Sequence, residues 1–145
     1  MIGNIISAFV GTAAFCLLFN VPKRFCLICG LTGMAGFIGY TLTLNLASDV
    51  MARFVGALAV VICARLFSVW KKCPITVFLV PGIFPIIPGT RVYYTAYYLV
   101  SDNLYSAAQS GFEAIQIAFA IVLGIVLVVS APMKWFQADF WKIKN

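Results

Sequence analysis

Five apolar runs, each about as long as a membrane-spanning helix, follow one another along the chain with short polar stretches between them. They cover residues 2–19, 25–46, 49–70, 74–100 and 104–130. A helix needs roughly 20 apolar residues to cross the hydrocarbon core of a bilayer. The pattern therefore predicts an all-α membrane protein with five transmembrane helices, built as a single integral membrane domain over residues 1–145.

The fourth run is interrupted by a motif rich in proline and glycine. Its members are Pro81, Gly82, Pro85, Pro88 and Gly89. Proline lacks a backbone donor and clashes with the preceding turn, and the carbonyl groups that it frees are costly where they face lipid. Neither residues 74–80 nor residues 90–100 are long enough to cross the bilayer alone. We therefore predict one discontinuous span, with its break near mid-membrane and packed in protein or lining a wet cavity.

Lysine and arginine residues lie just outside the apolar runs and predict the topology. They occur as Lys23 and Arg24, as Lys71 and Lys72, and in the tail as Lys134, Lys142 and Lys144. Five spans place all three clusters on one side, and basic loops favour the cytoplasm, so the N-terminus is predicted outside and the C-terminus inside. Aromatic residues among the tail lysines favour a short interfacial segment over residues 133–145.

Composition agrees with a membrane protein and disfavours other classes. Hydrophobic residues make up 63% of the chain and charged residues 10%, against about half and about a quarter in soluble domains. The net charge of +6 comes from residues that flank apolar runs, so no nucleic-acid partner is expected. The chain has no histidine, no phosphate loop and no nucleophile–base pair, and Cys26 and Cys29 lie inside an apolar run. We therefore expect no metal, no cofactor and no enzymatic activity.

Glycine recurs every third residue in the second run, at Gly30, Gly33, Gly36 and Gly39. In lipid, glycine lets neighbouring helix backbones approach closely. We predict a helix-packing face here, and a face that lines a substrate path is the alternative.

The residues after the break are the candidates for substrate binding. A helix that begins near Thr90 has free N–H groups that attract anions, with Thr90 as its cap. Arg91 is unfavourable at a helix start, and a bound carboxylate would remove that conflict. The predicted binding residues are Gly82, Gly89, Thr90, Arg91, Tyr94 and Tyr97. The alternative is a structural kink whose Arg91 pairs with an acid on a neighbouring helix.

A polar stripe runs along the fifth span and contains Ser106, Gln109, Glu113 and Gln116 at helical spacing. An ionisable group inside a membrane is a functional candidate, because burial favours its neutral form and so suits a proton carrier. We predict proton coupling through Glu113 with Gln116 beside it. An interfacial position, or a structural pair of Glu113 with Arg91 or Arg53, is the alternative. Arg65 is expected to extend to the membrane surface.

Several segments resemble the threonine/serine exporter family, in its small, C-terminal-type subunit. They are Phe19-Asn-Val-Pro-Lys-Arg24, the glycine-rich second helix, and residues 76–89 with their Pro-Gly-x-x-Pro-x-x-Pro-Gly pattern. The resemblance carries over Pro81, Gly82, Pro85, Pro88 and Gly89 as family motif positions. It implies secondary export of threonine and serine across the bacterial inner membrane by proton antiport. Some relatives export dicarboxylates such as succinate, and a larger membrane subunit of the same family is the expected partner.

Three functions are therefore compared. The chain is a transporter subunit that contacts substrate, a structural subunit that does not, or a channel formed as a homo-oligomer in the lipid bilayer. The proline–glycine break favours the first, because a scaffold has no need to bury irregular backbone.

Overall fold

The computed structural model describes residues 2–131, which form six α-helices and two short 3-10 turns. The helices are α1 (Ile2–Leu18), α2 (Cys26–Leu44), α3 (Asp49–Lys71), α4 (Thr76–Ile83), α5 (Gly89–Val100) and α6 (Leu104–Ser130), and the turns are Lys23–Phe25 and Phe84–Ile86. The predicted interfacial segment, residues 133–145, lies outside the described residues. Among those described, helices and their connections account for the whole fold, as the hydrophobic pattern predicted.

Three of these helices are long and apolar enough to cross a membrane: Lys23–Leu44, which includes the first turn, α3 and α6. A fourth candidate is the pair Thr76–Ile86 and Gly89–Val100, whose axes differ by 53° across a short break. The chain is thus a multi-pass membrane protein with a broken helix where the motif predicted one. Since α1, with 17 residues, is shorter than these three helices, the count of five spans stays a prediction.

Helix α2 lies at the centre of the bundle and packs on α1, α3 and α4. A Cβ atom added at Gly30 would strike Phe9 of α1, and one at Gly36 would strike Val60 of α3. Helix backbones approach this closely only where side chains are absent. The predicted glycine packing face is confirmed.

The break in the fourth run begins later than predicted. Pro81 and Gly82 remain inside α4, and the backbone leaves the helical path only over residues 84–88. Pro81 cannot donate to the carbonyl of Val77, four residues back. The Cys29 thiol donates to that carbonyl instead, at 3.4 Å. A side chain from α2 therefore satisfies the group that the proline frees, and α4 continues through it.

The break also lies closer to one end of the bundle than the predicted mid-membrane position. Ile86 packs on Gly36 and Gly56. Gly56 is seven residues from the first residue of α3, or roughly 11 Å at 1.5 Å per residue, in a helix of roughly 34 Å. The irregular backbone is therefore about a third of the way in from the Asp49 end of α3. Pro88 and Ile86 are buried there.

The two basic pairs lie at the same end of the molecule. The rings of Phe25 and Phe67 both contact Phe78 at the start of α4, which brings the segments after Arg24 and before Lys71 together. Asp49 is the first residue of α3 and Asp102 lies just before α6, and both are at the opposite end. The segregation of charge that the topology prediction requires is present.

Arg65 joins α3 to the end of α6, and the expectation that it extends to the membrane surface is wrong. Its side chain is buried, and its two terminal nitrogens donate to the carbonyl oxygens of Val129 and Ala131, each at 2.7 Å. The last carbonyls of a helix have no partner within the helix, and a cation suits the negative end of its dipole. Arg65 therefore ties α6 to α3.

Helices α3 and α6 run parallel, because Gly124 packs on Ala57 and Arg65 reaches Ala131. This register places Asp49, at the start of α3, level with about residue 116 of α6. The first part of α6 therefore extends past the start of α3 by roughly 18 Å. Helix α5 packs antiparallel against this extension, with Thr95 beside Gly111.

Candidate functional site

A pocket of about 390 Å³ lies where α5 leaves the bundle, at the end of the molecule away from the lysine pairs. Three helices contribute its walls: α2, α3 and α5. The lining residues are Tyr40, Leu44, Asp49, Arg53, Thr90, Arg91 and Tyr94. Leu44 is the one aliphatic residue among them, so the pocket combines two cations, one acid and several hydroxyl groups.

Arg53 lines this pocket and also contacts the backbone at the helix break. Its Nη1 donates to the carbonyl oxygen of Ile86 at 2.7 Å, and its Nε donates to Asp49 at 3.1 Å. Its guanidinium also lies over the Tyr40 ring, 5.1 Å from the centroid. In a continuous helix the amide of Thr90 would donate to the carbonyl of Ile86. The helix is interrupted after Ile86, so that donor is missing. Arg53 supplies the missing donor.

Asp49 accepts from two neighbours and is thereby fixed. Its Oδ1 accepts from the Tyr40 hydroxyl at 2.9 Å, and its Oδ2 accepts from Arg53. A carboxylate oxygen has two lone pairs, so each oxygen retains capacity for a further donor. The side chain of Asp49 is 30% exposed. It therefore presents a partly open anionic surface, held in a fixed orientation.

Arg91 is the more open cation of the pocket. Its side chain is 42% exposed, against 12% for Arg53. Its Nη1 lies 2.7 Å from Oε2 of Glu113 on α6, but the approach is not aligned as a hydrogen bond. The contact is therefore mainly coulombic. The pairing of Arg91 with an acid of a neighbouring helix, which the sequence left open, is present.

The start of α5 differs from its prediction. The helix begins at Gly89, with Pro88 at the cap position and no side-chain cap bond, so the predicted Thr90 cap is wrong. The Gly89 amide donates to the carbonyl of Ile87, at 2.8 Å. It is therefore engaged with the local backbone, while the Thr90 side chain lines the pocket. Proline fixes the backbone angle ahead of the first turn, and the cap position lies two residues earlier than predicted.

Three predicted site residues lie away from the pocket. Gly82 is buried against Thr32 and Val60, where a Cβ atom would be 2.9 Å and 3.2 Å from their side chains. Tyr97 is exposed and stacks on Tyr93, with ring centroids 6.4 Å apart. Gln116 lines a separate apolar groove between α3 and α6, of about 710 Å³. The structure brings together Thr90, Arg91 and Tyr94, with Gly89 and Pro88 immediately before them.

Sequence reasoning did not assign the contributions of α2 and α3 to this pocket. Asp49 and Arg53 are four residues apart at a helix start, which is ordinary spacing for a surface ion pair. Tyr40 has no local signal beyond its place near a helix end. These residues are brought together by the break between α4 and α5, which places the carbonyl of Ile86 within hydrogen-bond distance of Arg53.

The arrangement offers complementary contacts to a small zwitterion. Arg91 lines the pocket, and its planar guanidinium group is of the kind that matches carboxylates well. Asp49 lines the same pocket, and its carboxylate oxygens retain acceptor capacity. A volume of about 390 Å³ is near the lower end of the range for small-molecule sites, about 300–1,000 Å³.

Comparison with known proteins identifies a match over almost the whole chain. The model of a family described as "Threonine/Serine exporter, ThrE" matches residues 4–131. This range includes every lining residue of the pocket and every described helix but the first two residues of α1. No solved structure matches the chain.

Proposed function

Because this chain belongs to the threonine/serine exporter family, we propose that it is a membrane subunit of a secondary exporter of small amino acids and that the pocket beside the helix break binds the substrate. The observation that carries the proposal is the position of Arg91. It is the more open of the two cations of a polar pocket in a membrane protein, and it lines that pocket together with the acid Asp49. Such a pair of opposite charges suits an α-amino acid.

In this proposal the substrate carboxylate binds the Arg91 guanidinium and the substrate ammonium group binds Asp49. Charge-assisted hydrogen bonds of this kind are about twice as strong as neutral ones. Arg53 and Tyr40 hold Asp49 in place rather than contacting the substrate carboxylate themselves. Thr90 and Tyr94, whose side chains line the same space, are available to the hydroxyl group that distinguishes threonine and serine.

Glu113 is the proposed site of proton binding. It is the one acidic residue of α6, and its partner is the arginine that we assign to the substrate. A proton on Glu113 would remove the charge that Arg91 neutralises. The two sites thus share one side chain, and this sharing provides a route by which proton and substrate affect each other.

A larger membrane partner fits the outer face of α6. Gln109 and Gln116 are exposed on this helix. Lipid offers an amide side chain no hydrogen-bond partner, whereas a neighbouring helix does. We propose that a second subunit of the exporter packs there, at the apolar groove that contains Gln116.

A dicarboxylate substrate is the second candidate, and the pocket favours it less. Two carboxylates would need two available cations, and Arg53 is already engaged by Asp49 and by the Ile86 carbonyl. A purely structural subunit would need no polar pocket with an open arginine. Both alternatives predict that loss of Arg91 leaves export of neutral amino acids unchanged.

The test is efflux of threonine from cells that express the chain with the subunits that accompany it. Arg91→Gln should lower the initial rate at least about tenfold, because a hydrogen bond to a charged group contributes about 1.5–3 kcal/mol. Lys71→Gln, which removes a cation at the opposite end of α3, is the matched control and should stay within about twofold. An unchanged rate for Arg91→Gln, with normal expression, contradicts the proposal.

A further inference from the structure

Leu44 differs in kind from the other residues that line the pocket, because its side chain offers apolar atoms alone. It is the last residue of α2, and Tyr40, one turn earlier on the same helix, lines the same pocket. Residues four apart lie on one face of a helix. The wall that α2 contributes therefore changes within one turn from a hydroxyl group to methyl groups.

The fold leaves part of the Leu44 side chain uncovered. The residue is 40% exposed, and the pocket that it lines also contains Asp49, Arg53 and Arg91. Charged groups within a membrane protein line water-filled cavities, so the exposed face of Leu44 meets water when the pocket is empty. Removal of apolar surface from water is favourable in proportion to its area. A ligand that covers Leu44 with an apolar group therefore binds more tightly than a ligand that leaves it wet.

Threonine and serine differ by one methyl group on the β-carbon. The proposed contacts of the carboxylate with Arg91 and of the ammonium group with Asp49 are the same for both amino acids. Contacts of the hydroxyl group with Thr90 and Tyr94 are the same as well. Of the surfaces that line the pocket, Leu44 is the one suited to the methyl group.

We propose that Leu44 contacts the β-methyl group of threonine and makes the pocket select threonine over serine. This assignment rests on the proposed function of the pocket. Burial of one methyl group strengthens binding by about fourfold. The selection is therefore a preference rather than an exclusion of serine, which agrees with a family described by both amino acids.

The same contact makes the pocket sensitive to the configuration of the β-carbon. L-allo-Threonine carries the methyl and hydroxyl groups of threonine in the opposite arrangement. With its carboxylate and ammonium groups held at Arg91 and Asp49, it reaches either Leu44 with its methyl group or the hydroxyl groups of α5 with its own, but not both. We expect it to bind at least about threefold more weakly than threonine.

Equilibrium competition against labelled L-threonine measures the selection. The full-length chain is purified together with any subunit that accompanies it, and unlabelled L-threonine, L-serine and L-allo-threonine are the competitors. For wild type we expect the Kd of serine to exceed that of threonine at least about threefold. Leu44→Ala should weaken threonine by about the same factor, leave serine within about 1.5-fold, and so bring the two Kd values to within about twofold of each other.

Two further variants identify the contact. Leu42→Ala removes the same atoms from an exposed leucine of α2 that does not line the pocket, and it should keep the wild-type ratio of the two Kd values. Leu44→Met keeps an apolar side chain of similar volume and should keep the preference for threonine. Each variant is compared only after it elutes as a single species in size-exclusion chromatography, and the measurement with L-allo-threonine requires no variant at all.

The outcomes distinguish this contact from the function on which it rests. A wild-type protein that binds serine or L-allo-threonine as tightly as threonine overturns the contact and leaves the pocket intact. A preference that persists in Leu44→Ala, or that Leu42→Ala abolishes as well, also overturns it. Absence of threonine binding to the wild-type complex overturns the proposed function, and the contact with it.

Discussion

At the scale of single residues, Arg53 shows how a broken helix is stabilised. It donates to the carbonyl that the break exposes, and it holds the acid of the pocket at the same time. An unpaired backbone carbonyl inside a protein costs about as much as a lost hydrogen bond. Arg53 therefore connects the backbone irregularity to the orientation of Asp49. The sequence predicted the irregularity but not its partner, because the pairing spans 33 residues of chain.

Replacement of Arg53 by methionine should destabilise the protein. Arg53→Met keeps most of the side-chain length but leaves the Ile86 carbonyl without its side-chain donor and Asp49 with the Tyr40 hydroxyl alone. The expected cost is about 2 kcal/mol in the free energy of unfolding. An unfolding titration in detergent micelles measures this change. Arg24→Met, at an exposed arginine in the basic loop, should shift it by less than about 0.5 kcal/mol. Equal effects of the two substitutions would show that the Arg53 contacts contribute nothing specific.

Arg91 and Glu113 illustrate what a local pattern leaves open. The sequence placed both residues in adjacent spans and identified two uses for Arg91, a ligand carboxylate or a neighbouring acid. The ion pair with Glu113 is present. The sequence alone does not decide between these two uses. In the structure Arg91 both contacts Glu113 and lines the pocket, so the same side chain is available for both. Tyr97, by contrast, is exposed and stacks on Tyr93, and it does not line the pocket.

At the scale of helices, close packing and backbone breaks account for most of the architecture. Proline and glycine were expected to end α4 at Pro81, yet the helix continues to Ile83 because Cys29 supplies a donor to Val77. A thiol inside an apolar helix gives no sequence signal for this role. The bend falls instead at residues 84–88, where two further prolines follow in close succession.

The glycines of α2 provide a direct test of this close packing. Gly33→Ala would place a methyl group against the buried side chain of Thr12 and force α1 away from α2. Overpacking of this kind costs about 1–3 kcal/mol. Gly11→Ala, within α1, meets nothing within 4 Å and is the matched control. It should leave stability unchanged or raise it by up to about 1 kcal/mol, because alanine favours the helix.

The two substitutions are compared by the same unfolding titration, in the same detergent. A loss for Gly33→Ala without a loss for Gly11→Ala supports direct contact between the helices. If both variants unfold like the wild type, the interface between α1 and α2 is not as close as described.

At the scale of the whole molecule, charge separates the two ends. The lysine and arginine pairs lie at one end, and the polar pocket lies at the other with Asp49. The hydrophobic pattern predicted this arrangement, since alternate loops of a helical bundle fall on alternate sides. The pattern predicted a break near mid-membrane, whereas the break lies about a third of the way along α3. The difference arises because α6 is longer than a bilayer requires and its first part extends, together with α5, beyond the other helices.

Cysteine labelling tests the topology that follows. In a chain whose three partly exposed cysteines, Cys26, Cys63 and Cys73, are replaced by alanine while the buried Cys16 and Cys29 are kept, Ser101→Cys should react with a membrane-impermeant maleimide added to intact cells. Lys23→Cys should react only after the membrane is permeabilised, because basic loops remain in the cytoplasm. Labelling of both positions from outside would place the two loops on the same side, and the bent pair would then be a re-entrant segment rather than a span.

The central claim is that Arg91 binds the carboxylate of the substrate, and equilibrium binding of labelled L-threonine to the purified complex tests it most directly. We expect Arg91→Gln to raise the Kd at least about tenfold and Lys71→Gln to leave it unchanged. The amino alcohol derived from threonine, which lacks the carboxylate, should compete poorly with wild type. Equal affinity of wild type and Arg91→Gln, or equal competition by the amino alcohol, would contradict the claim.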